Sequence, residues 1–467
     1  MRLYNTLTRQ VEELQPINPP HASVYTCGPT VYDYPHIGNW FTFIRYDVLV
    51  RTLQANGLQT NWVLNITDVG HLTSDADEGE DKLEKGARRE QKTAWDIARY
   101  YSDYFVQGLQ RLNIQMPDQL PKATEHIAEQ IELIRTLEQK GYTYAIDDGV
   151  YFDTSKFEHY ADFAKLDLEE LQAGARVEHN SQKRNASDFA LWKLSPADSR
   201  RDMEWESPWG TGFPGWHLEC SAMSMKYLGE TIDIHSGGID HIPVHHTNEI
   251  AQSEAATGKR FANYWLHTNH ILINEDKISK SLGNGITLED IEAKGYDMET
   301  FRLLVLESHY RSQSKFSWDN LESAKNRLND LKAMAVLQWQ PLDTSDRNSF
   351  AFIDVSEELA AILAEDLATP AAMAYLSDIS RQVQGTLVHG SRLEHFKIML
   401  QAIDKALGTK LSEVPDISAG QKDLIRERQI AREAKNWTRS DEIRDQLAAD
   451  GVGLRDHEVL GATWYYL

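Results

Sequence analysis

Short apolar runs alternate with longer amphipathic stretches over the first part of the chain. Ala22 to Thr26 and Trp62-Val63-Leu64 read as strands, and Phe41 to Leu53 repeats apolar residues with the period of a helix. This alternation predicts an α/β domain. Residues 120–200 mix helical patterns with short strands such as Gly149-Val150-Tyr151-Phe152, interrupting the α/β pattern as an inserted domain would. The pattern resumes near Pro214 and includes the run Thr231 to Ile234. From about residue 287 to 338 and again from 354 to 407 the periodicity is helical, with a polar linker, Pro341 to Ser349, between the two stretches. Pro415 and Gly420 then punctuate a last small module, in which a basic helix (Lys422, Arg426, Arg428, Arg432, Lys435) leads to a compact tail with Trp437 and Trp464. No internal repeat and no low-complexity tract is present. The charge-rich residues 71–95, centred on Asp75 to Asp81, read as a solvated acidic loop.

Two short motifs about 240 residues apart carry the first chemical signal. Pro35-His36-Ile37-Gly38-Asn39 lies between a strand and a helix. Backbone N–H groups at a helix N-terminus point at an anion, and Gly38 lets a nucleotide approach the backbone. Lys277-Ile278-Ser279-Lys280-Ser281 sets two lysines in a loop with Gly283 and Gly285 beyond, able to neutralise a polyphosphate while the loop stays mobile. Either motif alone is weak.

A second constellation involves both cysteines of the chain. Cys27 ends the strand before His36, and Cys220 ends Gly215-Trp216-His217-Leu218-Glu219-Cys220. Further on, His245 and Glu249 stand four apart, on one face if the stretch is helical. Two thiolates, an imidazole and a carboxylate would make a tetrahedral zinc set. By spacing alone, two buried apolar cysteines and a surface His–Glu pair remain the alternative.

Bulk properties narrow the classes. At 467 residues the chain is too long for one ordinary core, so three or more domains are expected. Only two cysteines argue against a disulfide framework and for a reducing compartment, by default the cytoplasm. No apolar signal region opens the chain and no run approaches a membrane span. A net charge of −23 excludes loose, non-specific nucleic-acid binding and leaves room for a specific RNA contact through local basic patches.

Taken together, the two motifs resemble the signature sequences of class I aminoacyl-tRNA synthetases, and along nearly its whole length the chain resembles the cysteinyl members of that class. The matching stretches are Tyr4 to Arg9, Cys27 to Asp33, Asn65 to Asp68, Leu171 to Arg176, Gly215 to Met223 and Lys277 to Asn284. The resemblance implies a Rossmann-like nucleotide-binding catalytic domain with an inserted domain, then a helical bundle and a small C-terminal anticodon-binding module. The expected boundaries are 1–118 and 206–275 for the two catalytic halves, 119–205 for the insertion, 276–345 for the signature loop and stem-contact region, 346–410 for the bundle and 411–467 for the last module. It implies ligation of cysteine to tRNA(Cys) by way of cysteinyl-adenylate. Zinc would be held by Cys27, Cys220, His245 and Glu249 and would recognise the substrate thiolate. Mg²⁺ would accompany ATP.

By the same resemblance His36, Gly38, Asn39, Lys277 and Lys280 meet the ATP phosphates, and Thr67 and Trp216 line the cysteine pocket. His235 is expected to end a strand before a Gly-rich turn, contacting adenylate or only shaping the turn. His246 either acts in the pocket or orients its helix. In the last module Trp437 is expected to stack on a base, Arg432 to bond a guanine edge, and Asp441 and Asp456 to accept bonds from bases. Metal–thiolate selection removes the need for an editing domain. A monomer is expected.

The chain also departs from the family pattern. Asn39 and Ile278 replace the usual His and Met of the two signatures, the stretch Ser236 to Val244 differs, Thr247 replaces a Glu, and about ten residues, Gly70 to Glu80, are inserted after Asp68. Three rivals stand beside this reading. A cysteine:amino-sugar ligase should lack the last module, a methionyl-type synthetase would lack the Cys/Cys/His/Glu set, and a catalytically inactive RNA-binding relative would not need the intact signature lysines.

Overall fold

The computed structural model describes residues 1–71, 81–167, 182–195, 201–273, 276–277, 285–340, 352–386, 388, 390–457 and 461–467. Lys280, most of the acidic insertion, the stretch Leu171 to Arg176 and the linker Pro341 to Ser349 lie outside the described residues, as does the side chain of Lys277. The described chain forms two compact units, Met1–Leu288 with Tyr310–Ser314, and Glu289–His309 with Lys315–Leu467.

The first unit is built on a four-stranded parallel sheet in the order Ala262–Thr268, Ile232–Gly238, His21–Thr26, Gln59–Leu64. Its strands are largely buried along their lengths, polar positions such as His235 and Ser236 included, because both faces of such a parallel sheet are covered. The register sets Thr26 beside both Leu64 and Ser236, so the carboxyl ends of the three strands open at one edge. Ile37–Ala55 follows the first strand as a 19-residue helix, longer at both ends than the Phe41 to Leu53 expected. Fourteen of its residues are buried, which accounts for its nearly uniform apolar character.

Asp47, within that helix, is fully buried and accepts bonds from Arg51 Nε and Gln115 N, both at 2.8 Å. Arg51 also donates to the Asn113 carbonyl at 2.9 Å. This pair ties the helix to the chain leaving the helix Ala94–Arg111.

The interruption is a separate antiparallel sheet in the order Thr143–Ile146, Gly149–Phe152, Phe189–Leu194, Gly212–Pro214. Its apolar face joins Leu133, Ile134 and Leu137 of a flanking helix and Leu218 and Ala222 of the helix Trp216–Leu228 in one cluster.

The second unit is mainly helical: Met298–Leu306, Trp318–Ala335, Phe352–Ala364, Thr369–Thr386 and Leu393–Leu407 carry the expected apolar stripes. Helix starts are capped where the sequence offers a short polar residue: Asp297 accepts from Thr300 N at 2.7 Å and Ser317 from Asn320 N at 3.1 Å. The last module packs helices Ala419–Glu433 and Trp437–Ala449 with a hairpin of Val452–His457 and Gly461–Tyr466. Among the described residues, no helix is long and apolar enough to cross a membrane.

Candidate metal centre and nucleotide site

Cys27 follows the His21–Thr26 strand directly, at the edge where the parallel strands end. Cys220 faces it from the buried side of the Trp216–Leu228 helix, with the two sulfur atoms 3.9 Å apart. The remaining donors come from a segment that changes its winding. Ile242–His246 forms a wide π-helical turn that runs into the α-helix Thr247–Thr257. Such turns cluster at functional sites. Here the wide turn accompanies the burial of two adjacent histidines, His245 and His246. His245 Nε2 lies 3.0 Å from Glu249 Oε1, and Cys27 Sγ lies 3.8 Å from the same oxygen. One donor atom each from Cys27, Cys220, His245 and Glu249 falls within 4.8 Å of every other, and all four residues are buried.

The electrostatics fit a cation at the centre. Burial pushes the Cys27 thiol well above its usual range, and Cys220 and Glu249 beside it push the same way. The hydrogen bond from Cys27 brings Cys220 down to about 7 against the cost of burial. Burial opposes a charged His245, yet Glu249 and Cys220 lift it to about 10. The Glu249 carboxylate and two sulfur atoms thus crowd one buried point, and a divalent ion there would draw both thiols into their thiolate form and neutralise the charge directly.

Surrounding residues hold the donors in place. Asn65 Oδ1 accepts from Gly28 N at 2.8 Å and lies 3.8 Å from Cys220 Sγ. A Cβ at residue 28 would sit 1.6 Å from the Asn65 carbonyl oxygen, so glycine is required there. His245 Nδ1 is 3.0 Å from His217 Nδ1, and the Trp216 ring stacks obliquely on His245 at 4.2 Å between centroids. Thr67 is buried, and its hydroxyl accepts from Asn65 Nδ2 at 3.1 Å. Both residues expected to line the cysteine pocket therefore touch the immediate surroundings of the quartet. His246 is fully buried, its Nε2 3.4 Å from Cys27 Sγ and its Nδ1 2.7 Å from His267.

One expectation is corrected. The strand does not end at His235 but runs to Gly238. His235 is fully buried, stacked on Trp265 at 4.4 Å, and its Nε2 lies 2.9 Å from Glu249 Oε2. There it holds the carboxylate of Glu249. Sequence reading missed this because strand pairing, not local composition, turns the side chain inward. The solvated loop expected over 71–95 is also corrected: it contains the helix Lys82–Glu90, capped by buried Asp81, and the insertion's second residue, His71, meets the buried Glu219, neighbour of Cys220, at 2.8 Å. A lone histidine beside a polar tract gave no signal of that contact.

The nucleotide motif sits at the start of the Ile37–Ala55 helix, with His36 as its N-cap residue. Asn39 Oδ1 accepts from His36 N at 3.1 Å, so the departure from histidine closes the first turn and leaves the amide NH₂ as a donor. A Cβ at Gly38 would meet the His36 ring at 3.0 Å and Ile271 at 3.4 Å. Lys277 pairs with Leu272 in a short antiparallel ladder, and on the far side of residues 278–284 the Ile286 carbonyl accepts from Ile37 N at 2.8 Å. The described flanks of the lysine loop are thereby tied to the strand Ile271–Ile273, which touches Gly38, and to the helix start itself.

In the last module Arg432, Trp437 and Asp456 come together. Arg432 pairs with Asp456 at 3.1 Å and lies over the Trp437 ring at 5.9 Å, and Trp437 is 56% exposed. Buried Arg428 takes the other Asp456 oxygen at 2.8 Å. Both oxygens of Asp456 are thus engaged by arginines. Arg428 was legible only as part of a basic helix, though its spacing of four from Arg432 was the available clue. Asp441 is paired with Arg444 at 3.1 Å.

Comparison with known proteins agrees with this arrangement. Residues 13–326 match a family model described as the class I (C) tRNA synthetase catalytic domain, and residues 414–460 match the cysteinyl-tRNA ligase anticodon binding domain. Cysteine–tRNA ligase 1 of Burkholderia lata is 46% identical over 98% of this chain and 95% of its own. Cysteine–tRNA ligase of Treponema denticola is 43% identical over 99% of each. Among solved structures, methionyl-tRNA synthetase of Mycobacterium tuberculosis bound to methionyl-adenylate superposes with a TM-score of 0.59, covering 84% of this chain and 93% of its own, at 14% identity, a likeness of fold alone. The full-length relatives, the two family matches and the shared fold make this chain a member of the cysteine–tRNA ligase family of class I aminoacyl-tRNA synthetases.

Proposed function

We propose that the protein activates cysteine with ATP and transfers it to the 3′ end of tRNA(Cys), with one zinc ion at Cys27, Cys220, His245 and Glu249 choosing the substrate. The observation that carries the reading is that buried quartet, set where parallel strands end and beside a helix N-terminus able to take phosphate. Its sulfur–sulfur separation of 3.9 Å agrees with the edge of a tetrahedron of zinc–sulfur bonds, about 3.8 Å for bonds of about 2.3 Å. Bound there, zinc supplies a soft acid that takes a thiolate far better than a hydroxyl.

The chain's own residues do the rest by positioning and charge. The amino acid carboxylate attacks the α-phosphorus of ATP in line and expels pyrophosphate. A terminal ribose hydroxyl of tRNA then attacks the acyl carbon and releases AMP. Neither step needs a protein nucleophile. His36, Asn39 and the N–H groups beyond Gly38 receive the phosphates, with Mg²⁺ accompanying ATP. Lys277 and Lys280 close on the polyphosphate as charge develops. Thr67 and Trp216 bound the space for the cysteine side chain, and His235 and His217 keep the donors oriented. The inserted sheet connects the two catalytic halves, and the bundle and last module engage tRNA. The reading places a monomeric enzyme in the cytoplasm.

Cysteine-dependent ATP–pyrophosphate exchange, followed by charging of tRNA(Cys), tests this. Exchange with cysteine but not serine or methionine, and charging of tRNA rather than of an amino sugar, is the expected outcome. Absence of exchange at full zinc content would overturn it.

The last module carries its own prediction. Arg432→Ala removes a donor aimed past an exposed tryptophan and frees one oxygen of Asp456. Charging kcat/KM should drop by roughly one to two orders of magnitude, the size of one lost base contact of about 1–3 kcal/mol, while exchange without tRNA stays unchanged. Equal losses in both assays would place the defect in folding.

A further inference from the structure

One surface of the first unit remains without a role in this scheme. Tyr34 stands two residues before His36, and its ring meets the rings of Tyr100, Tyr101 and Tyr104 edge-on at 6.2, 5.1 and 4.8 Å. Tyr34 and Tyr100 are 37% and 45% exposed, and their hydroxyls are 2.8 Å apart. Lys92 Nζ lies over the Tyr100 ring at 5.1 Å. Arg89 reaches the Tyr101 hydroxyl at 3.4 Å. The stretch from Lys82 to Lys92 holds five basic and two acidic residues in a chain of net charge −23. Scattered exposed aromatics are ordinary, but a contiguous group rimmed by cations marks a contact surface.

We propose that this tyrosine cluster, with Arg89 and Lys92, is a stacking platform for the single-stranded 3′ end of tRNA. The inference rests on the tRNA-charging function above. Unpaired bases stack on aromatic rings whatever their sequence, and nearby Lys and Arg neutralise the backbone they hang from. Two observations choose this occupant. The surface is continuous in the chain with the helix start where the activated amino acid forms, which the 3′ ribose must reach. Two cations, Arg89 and Lys92, stand at its rim against the tyrosine rings and complement the phosphates of a polyanion. Arg89 and Lys92 are held by Asp33 and Glu90 at 3.1–3.5 Å, but these are partly exposed pairs, weak enough for a phosphate to exchange with them. Tyr34 and Tyr100 are set edge to face, so the group presents ring edges and a face together rather than a closed stack.

Tyr100→Ala tests the proposal, because Tyr100 lies on the outer face of its helix and outside the adenylation machinery. Charging kcat/KM for tRNA should fall about tenfold, one lost stacking contact, while cysteine-dependent exchange and thermal unfolding remain at wild-type values. Tyr100→Trp should restore charging. Binding of tRNA trimmed of its single-stranded 3′ nucleotides should be the same for Tyr100→Ala and wild type. Unchanged charging, exchange falling in step with charging, or weaker binding of the trimmed tRNA would each overturn the platform. A wild-type protein that charges no tRNA would overturn the enzymatic reading itself, a result separable from any difference between variants.

Discussion

Cys220→Ser is expected to lose its metal and most of its ability to tell cysteine from serine. The substitution changes one atom in a site where that atom is proposed as a zinc ligand. The hydroxyl of serine stays protonated at neutral pH and donates poorly to zinc, whereas Cys220 already sits near neutrality, at about 7, through its bond with Cys27. Losing one of four donors leaves Cys27, His245 and Glu249 around a vacated corner, with the Cys27 thiol still raised by burial. Metal analysis should then read well below one zinc per chain. Selection against serine should collapse toward the ~10²-fold that an apolar pocket provides between near-isosteres, from the ~10⁴-fold or more available to a site built to bind the distinguishing group. The paired measurement is zinc content and ATP–pyrophosphate exchange with each amino acid, repeated on wild-type protein stripped of zinc and refilled. Full exchange by zinc-free protein, with selectivity retained, would remove the metal from the reading.

Asp47→Ala should produce the largest loss of stability of any single change considered. Asp47 is fully buried, and both oxygens are used, one by Arg51 and one by the Gln115 N–H. Truncation takes the carboxylate away from the guanidinium of Arg51, 8% exposed, which keeps its bond to the Asn113 carbonyl. Breaking one side of such a pair costs about 3–5 kcal/mol, because the surviving charge is stranded out of water. A lower urea midpoint by far-UV circular dichroism, without loss of exchange activity per folded molecule, is the expected signature. The double change Asp47→Leu with Arg51→Met should recover much of the loss, since it removes both charges. An unshifted midpoint for the single change would show that Arg51 finds solvent or another partner.

The strand of apolar residues before Cys27 and the helix after His36 were legible because each depends on its own local pattern. So were the four candidate metal donors, once the motifs around them were matched, although spacing by itself allowed two inert cysteines. Placement was another matter. Cys27 and Cys220 are 193 residues apart in sequence, and nothing in either neighbourhood dictates that their sulfur atoms face each other. The parallel register of Thr26 with Ser236 and the wide turn at Ile242–His246 decide that. The same register turns His235 inward onto Glu249, where a reading of its Gly-rich flank had put it at a strand end, contacting adenylate or only shaping the turn. Asn39, which looked like a phosphate donor short of one histidine, also closes the first helical turn.

By itself, then, the sequence determined the chemical inventory: an α/β nucleotide-binding half, a helical half, two signature motifs, and two cysteines with a His–Glu pair. These follow from periodicity and residue type, which are local. The tertiary structure alone decided that His235 and His246 also stand within reach of Cys27 and Glu249, which residue supports each donor, and that Tyr34 gathers partners from a helix more than sixty residues on. Those choices depend on strand pairing and helix packing between distant segments, and a buried polar group takes whichever partner the packed fold brings within about 3 Å of it.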